Sequence, residues 1–316
     1  MPSVEFAEKV VASYRPSYIP NAVFIGGTSG IGRAMLEALA KQTQGRVNLW
    51  IVGRNKTVAE EIIASIPSPP LPEPEGSIAT NCFTREFVAC DVSLLCNIQT
   101  MTQELLRQTE RKINILVVTS GNAMSMFSRV ETADGLDLQM MLRYYSRFKM
   151  IEDLVPALEN AHALGQDARV MTVLAAGIGL KVPIDDLDLK KWYNYLKVHM
   201  LTGVYNDVMV KVQSERHPNL TFIHVFPGMV DTPANRVNLF TRAFAVLSWY
   251  WMKQVEPIAQ SFLYPLLSSE DFKRGGYWIS QSAEKLTLAA NITDEVGKKV
   301  WDHSVERTTL RQETIE

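Results

Sequence analysis

Three glycines in GGTSGIG, residues 26 to 32, are spaced to hold an anion. Gly26, Gly30 and Gly32 tolerate positive φ and carry no Cβ, so the backbone can turn sharply there and bring a pyrophosphate against the free N–H groups of a helix start. Thr28 and Ser29 add hydroxyls to that cradle. A second chemical feature stands at Arg54, after the apolar run Val47 to Val52. A carboxylate at such a strand end would accept hydrogen bonds from a ribose 2′-hydroxyl and repel a 2′-phosphate; a guanidinium does the opposite, which points to NADP(H) rather than NAD(H). Ser29, Arg33 and Asn55 are placed to assist Arg54 with that phosphate. Tyr193 and Lys197 stand four apart in a helical pattern, which puts a phenol and an ammonium on one face.

The elements that must position these residues follow from periodicity. Ala22 to Ile25 is apolar enough for a strand buried on both faces, and Ile31, Ala34, Met35, Ala38 and Leu39 recur at helical spacing after it. Further strands are expected at Val47–Val52, Phe87–Cys90, Ile113–Val118, Arg169–Val173 and Leu220–Phe226. Between them, Ser93 is expected to cap a helix running to about Lys112, and a long helix is expected from about Asp137 to Asn160. Strand ends at 25, 53, 91 and 119 then share one edge of a parallel sheet, where ligands bind in doubly wound folds. The fold class is α/β, a single Rossmann-type sheet flanked by helices. Residues 1–20 form an N-terminal extension with a short helix, 21–316 the nucleotide-binding domain, and about 233–262 a segment covering the substrate. The proline-rich stretch 66–77 reads as an inserted loop.

Composition narrows the function. A formal charge of −2 leaves no basic footprint for nucleic acid, and five scattered histidines lack metal-ligand spacing. Neither a nucleic-acid partner nor a metal is expected. Cys82, Cys90 and Cys96 form no CxxC pair and read as reduced structural thiols of an intracellular protein. The N-terminus lacks the apolar core of a signal peptide, and the lipophilic run 243–252 is too short to span a bilayer, so a soluble, cytoplasmic protein is expected.

Taken together, GGTSGIG, the Y-x3-K of Tyr193 and Lys197, and PGMVDT after the sixth strand resemble the short-chain dehydrogenase/reductase family over about residues 20 to 310. The YYSRF of 144–148 and VLAAG of 173–177 are similar to its fungal biosynthetic branch. The resemblance implies hydride transfer between a nicotinamide and a carbonyl or secondary alcohol. It makes Tyr193 the acid and Lys197 the group that lowers the phenol's pKa and holds the nicotinamide ribose. It also assigns Asp91 and Val92 to the adenosine half, keeps the glycine Gly121 after the fourth strand, and sets Val230 and Thr232 on the carboxamide. Two departures stand out. The fifth strand ends in VMTVLAAG, so Leu174 or Ala175 stands in the slot where the family has serine, with only the hydroxyl of Thr172 nearby, and the long helix carries Arg143 in the register of the family's asparagine. Met124, Met126, Met229 and segment 237–252 suit an apolar, secondary-metabolite-like substrate, or equally a core or a homo-oligomer contact. The missing groups leave open a non-redox isomerase, cyclase or dehydratase on the same scaffold, or a non-catalytic NADP-binding protein.

Overall fold

The computed structural model describes residues 4–69, 83–121, 128–191, 193–228, 230, 255–268 and 270–310. Seven strands run parallel: β1 (Asn21–Ile25), β2 (Asn48–Gly53), β3 (Arg85–Ala89), β4 (Ile115–Val118), β5 (Arg169–Val173), β6 (Thr221–Val225) and β7 (Gly275–Ile279). The short β8 (Lys285–Leu286) closes the edge antiparallel to β7. The strand order β3-β2-β1-β4-β5-β6-β7-β8 reverses direction between β1 and β4, which opens a crevice above their carboxyl ends.

Side chains alternate cleanly between two cores. Val23, Ile25, Trp50, Val52, Leu116, Val118, Val170 and Phe222 face α4 (Leu95–Gln108), α6 (Ser146–Ala163), α7 (Tyr195–Arg216) and α9 (Asp294–Thr308). Ala22, Phe24, Leu49, Ile51, Ile115, Val117, Met171, Val173, Ile223 and Val225 face α2 (Gly30–Gln42), α3 (Lys56–Ser65) and α8 (Val255–Leu267). Strands buried on both faces read as continuous apolar runs, which is why they were visible in the sequence. The first helix, α1 (Val4–Ser13), lies against α8, with Val10, Val11 and Tyr14 packed on the second core.

Four expectations need correction. The helix after β3 begins at Leu95 rather than at Ser93. Asp91 Oδ1 accepts from Ser93 N at 3.0 Å and folds those residues into a turn, and Asp134 Oδ2 accepts from Leu95 N at 2.9 Å. The long helix is interrupted: a short α5 (Leu138–Met140), capped by Asp137, passes into a π-helical turn over Met141–Tyr145 before α6. In the described end of the expected cover 233–262, one face belongs to the second core. Ile258, Ala259 and Phe262 are buried, and α8 packs along α2. Tyr193 does not lie on α7. Asn194 is the N-cap, its Oδ1 accepting from Lys197 N at 3.2 Å, so the helix begins at Tyr195. Cys82, Thr232, Met124, Met126, Met229 and 237–252 lie outside the described residues. Cys90 is a buried thiol pushed up to about 12 by burial, as a structural filler would be, whereas Cys96 is exposed.

Candidate active site

The crevice begins at the turn from β1 to α2. Gly26 holds φ at +89°, and a Cβ there would sit 2.7 Å from Ser120 N. A Cβ on Gly32 would sit 2.5 Å from Gly26 O and overlap Thr119 Oγ1. Only glycine lets β4, the turn and the helix approach this closely. Gly30 opens α2, and Ile31 packs partly buried on the second core. The N-cap Ser29 is extended, at φ −159°, and its side chain makes no capping hydrogen bond; the first turn has no acidic residue. The free N–H groups and positive dipole end of this helix therefore face the crevice without an internal anion. Those features fit a dinucleotide phosphate.

Around the turn, Thr28 lies beside Gly53 at the end of β2. Arg54 follows, exposed and without a hydrogen bond or ion pair to another described residue. Arg33 is less available, since its Nε pairs with Glu37 Oε1 at 2.8 Å. Asn55 caps α3, its Oδ1 accepting from Val58 N at 3.1 Å. Asp91 is exposed at the end of β3, and Val92 is buried in the first core. Val230 is also buried.

The β4–β5 side is built by two buried arginines. Arg147 reaches from α6 across the strand ends, with Nη1 donating to Val118 O at 3.3 Å and to Thr172 Oγ1, and Nη2 to Ser120 O. Gly121, at φ +136°, admits the helix: a Cβ there would lie 2.6 Å from Leu142 O. Arg143, from the π-helical turn, donates from Nε to Thr202 Oγ1 at 3.1 Å and from Nη2 to His199 O at 3.3 Å. Arg147 is 0% exposed and Arg143 6%. Burial lowers the first to about 9, helped by the charge of Arg143, and the second to about 10. Both remain cations near neutral pH.

Thr172 is part of this seam. It points to the α6–α7 side of β5, is 0% exposed, accepts from Arg147 and donates to Asn206 Oδ1 at 3.3 Å. Its hydroxyl is engaged inside the protein, so the role of substrate donor in place of the absent serine is not what this geometry provides.

Tyr193 and Lys197 are not assembled as a pair. The Tyr193 phenol is raised to about 12, first by burial and then by the Asp137 carboxylate it faces. Lys197 Nζ lies 3.4 Å from Lys191 O and 3.8 Å from Asp186 Oδ2. The expectation of a phenol lowered by Lys197 is thereby reversed; the phenol is held neutral.

One buried pair escaped the sequence reading. His224 Nδ1 and Asp207 Oδ1 are 2.6 Å apart, His224 Nε2 accepts from Ala175 N at 3.2 Å, and Asp207 Oδ2 accepts from Gly177 N at 3.0 Å. Because Nε2 accepts, the ring proton must sit on Nδ1, pointing at Asp207. The pair thus pins the chain leaving β5, Ala175 to Gly177, to β6 and α7. Gly203 completes the fit, since a Cβ there would lie 2.7 Å from Ala175 O. The only trace in the sequence was a histidine inside the apolar strand TFIHV.

Fold and crevice define a doubly wound, nucleotide-binding α/β protein. No family model matches the chain. It is 32% identical over 247 residues to oxidoreductase AN1596 of Emericella nidulans, covering 77% of this chain and 68% of that one. It is 25% identical to short-chain dehydrogenase/reductase SAT2 of Stachybotrys chartarum, covering 96% of each. Among solved structures, the 3-ketoacyl-(acyl-carrier-protein) reductase of Brucella melitensis, complexed with NADH, superposes with a TM-score of 0.59 at 17% identity, covering 83% of this chain and 98% of that one. The chain belongs to the short-chain dehydrogenase/reductase family, in the company of fungal oxidoreductases. Among the described residues there is no cluster that could hold a metal ion and no helix long and apolar enough to cross a membrane.

Proposed function

We propose that this oxidoreductase uses NADP(H) to move a hydride between the nicotinamide and a carbonyl or secondary alcohol of a largely apolar small molecule, as in fungal secondary metabolism. The observation that carries the cofactor is the uncapped start of α2 in its glycine cradle, beside an exposed, unpaired Arg54. Gly26, Thr28, Ser29, Gly30, Ile31 and Gly32 would hold the pyrophosphate. Arg54, with Arg33 and the remaining amide of Asn55, would face the 2′-phosphate, and Asp91 and Val92 the adenine. Gly121 would line the nicotinamide ribose side, and Val230 and Thr232 the carboxamide. The nicotinamide, when bound, supplies or takes the hydride. Tyr193 is the proton donor in this reading, and Lys197 would hold the nicotinamide ribose. A phenol raised to about 12 stays protonated at physiological pH and so has a proton to give to a nascent alkoxide.

The test is a fluorescence titration of NADPH and NADH with wild type and Arg54→Asp. A charged hydrogen bond is worth roughly 1.5–3 kcal/mol, so the variant should lose about tenfold to a hundredfold in NADPH affinity with little change for NADH. A wild type that prefers NADH overturns the assignment. The separation of Lys197 from Tyr193 favours one second reading, a non-redox reaction on the same scaffold, which would form product with no change in absorbance of the nicotinamide.

A further inference from the structure

Arg143, on the π-helical turn, and Arg147, four residues on in α6, are two cations whose partners are all neutral. Arg147 is bound by two backbone carbonyls and a threonine, Arg143 by a threonine and one carbonyl. Neither makes an ion pair with a described carboxylate. Asp207, beside Asn206 on α7, is engaged with His224, and Asp188 with Arg307, Lys190 and His303. A buried charge without a counter-charge is costly, and two side by side repel. Around them three buried polar atoms have no partner: Arg147 Nε, Ser120 Oγ and His199 Nδ1. Burial also drives His199 down to about 4, so at neutral pH its ring is uncharged and adds nothing to the repulsion. The segment that carries Arg143 is a π-helical turn, an insertion that rotates side chains out of α-helical register and is frequent at functional sites.

We propose that Arg143, backed by Arg147, is the receptor for an anionic oxygen on the substrate, a carboxylate carried near the reacting carbonyl of an otherwise apolar molecule. A guanidinium binds a carboxylate through two parallel hydrogen bonds, so the site orients the substrate as well as neutralising the arginine pair. The inference rests on the reading of the β4–β5 edge as the substrate side of a nicotinamide-dependent oxidoreductase.

The probes are an α-keto and a γ-keto fatty acid of medium chain length, each beside its methyl ester, titrated calorimetrically into the NADP-saturated protein. At least one acid should bind wild type about tenfold or more tighter than its ester and raise the unfolding temperature. Arg143→Gln should abolish that preference while NADPH affinity stays within about twofold, and Arg143→Lys should retain part of it. Equal binding of acids and esters, no binding of either acid, or a loss of NADPH affinity in Arg143→Gln as large as the loss of acid affinity each overturns the proposal. Wild type that fails to bind NADPH would instead overturn the cofactor reading beneath it.

Discussion

Thr172→Val separates a structural hydroxyl from a catalytic one beside the slot, at Leu174 or Ala175, where the family's serine is missing. The substitution keeps volume and shape and removes two interactions, the bond accepted from Arg147 and the bond donated to Asn206 Oδ1 at 3.3 Å. A hydrogen bond to a charged group is worth about 1.5–3 kcal/mol and a neutral one about 1 kcal/mol. Arg147 Nη1 keeps Val118 O at 3.3 Å, so the loss is only partly recovered, and a cost of roughly 2–4 kcal/mol follows. For a chain of this size each kcal/mol lowers the melting temperature by about 2 °C, giving a fall of roughly 4–8 °C. Turnover per folded molecule should change by no more than a few-fold, because Thr172 is 0% exposed and its one proton is already donated to Asn206 Oδ1. The measurements are thermal unfolding by circular dichroism and steady-state rates below the transition. An unchanged melting temperature with a hundredfold lower kcat would refute the reasoning, since that is the signature of a lost oxyanion donor. Leu174→Ser is the companion: an accelerated rate there would show that the site works without its usual second donor.

Tyr193→Phe should abolish hydride transfer and leave NADPH binding nearly intact, because the ring still packs and only the proton is lost; single-turnover absorbance of the nicotinamide reads this, and wild-type rates would exclude Tyr193 as the donor. His199 predicts a pH effect. Its folded pKa, lowered from 6.5 to about 4 by burial and Arg143, means that the unfolded chain takes up a proton first as pH falls. Its contribution is therefore fully present above pH 6.5 and lost toward pH 4, up to about 3 kcal/mol, and His199→Asn should flatten that slope in urea-unfolding curves recorded between those values.

How much was legible differs between the two halves of the crevice. The six strands identified from apolar runs all exist within about two residues of their expected bounds, and GGTSGIG forms the turn its glycines required. Both depend on local rules: burial on both faces writes itself as a continuous run, and a Cβ at residue 26 or 32 has nowhere to go. Tyr193 and Lys197 fit one helical face by spacing alone, but Asn194 between them is among the strongest N-caps and sets the helix boundary after Tyr193. The π-helical turn leaves no mark in residue types, since it is an extra residue accommodated by packing against α7. In the expected cover 233–262, apolar residues such as Ile258 and Phe262 look the same in sequence whether they meet a ligand or α2; only tertiary contact distinguishes them. The β7 strand, GGYWI, begins with two glycines and carries weak strand propensity at its entry, so it was not singled out.

The departures from family pattern are not scattered. On the phosphate side, residues 26 to 32 meet a group whose chemistry is common to every dinucleotide enzyme, and the backbone there has one solution. On the substrate side the β5 serine, the helix asparagine and the helical tyrosine–lysine pair are all altered, in elements that touch one another. Arg147 bonds Thr172, Thr172 bonds Asn206, Asn206 Nδ2 donates to Arg143 O at 3.0 Å and to Thr202 O at 2.7 Å, and Arg143 bonds Thr202 and His199. Changing one member of such a seam leaves a buried polar group unpaired, so the members must change together. An arginine reaching from α6 to β5 engages the threonine hydroxyl, and the second arginine on the π-helical turn then lies where the family keeps a neutral amide. A site rebuilt this way trades a neutral donor for positive charge, and that trade is selective for what the substrate carries at that point: an anion gains from it, while a plain ketone gains nothing that the lost serine would not have given.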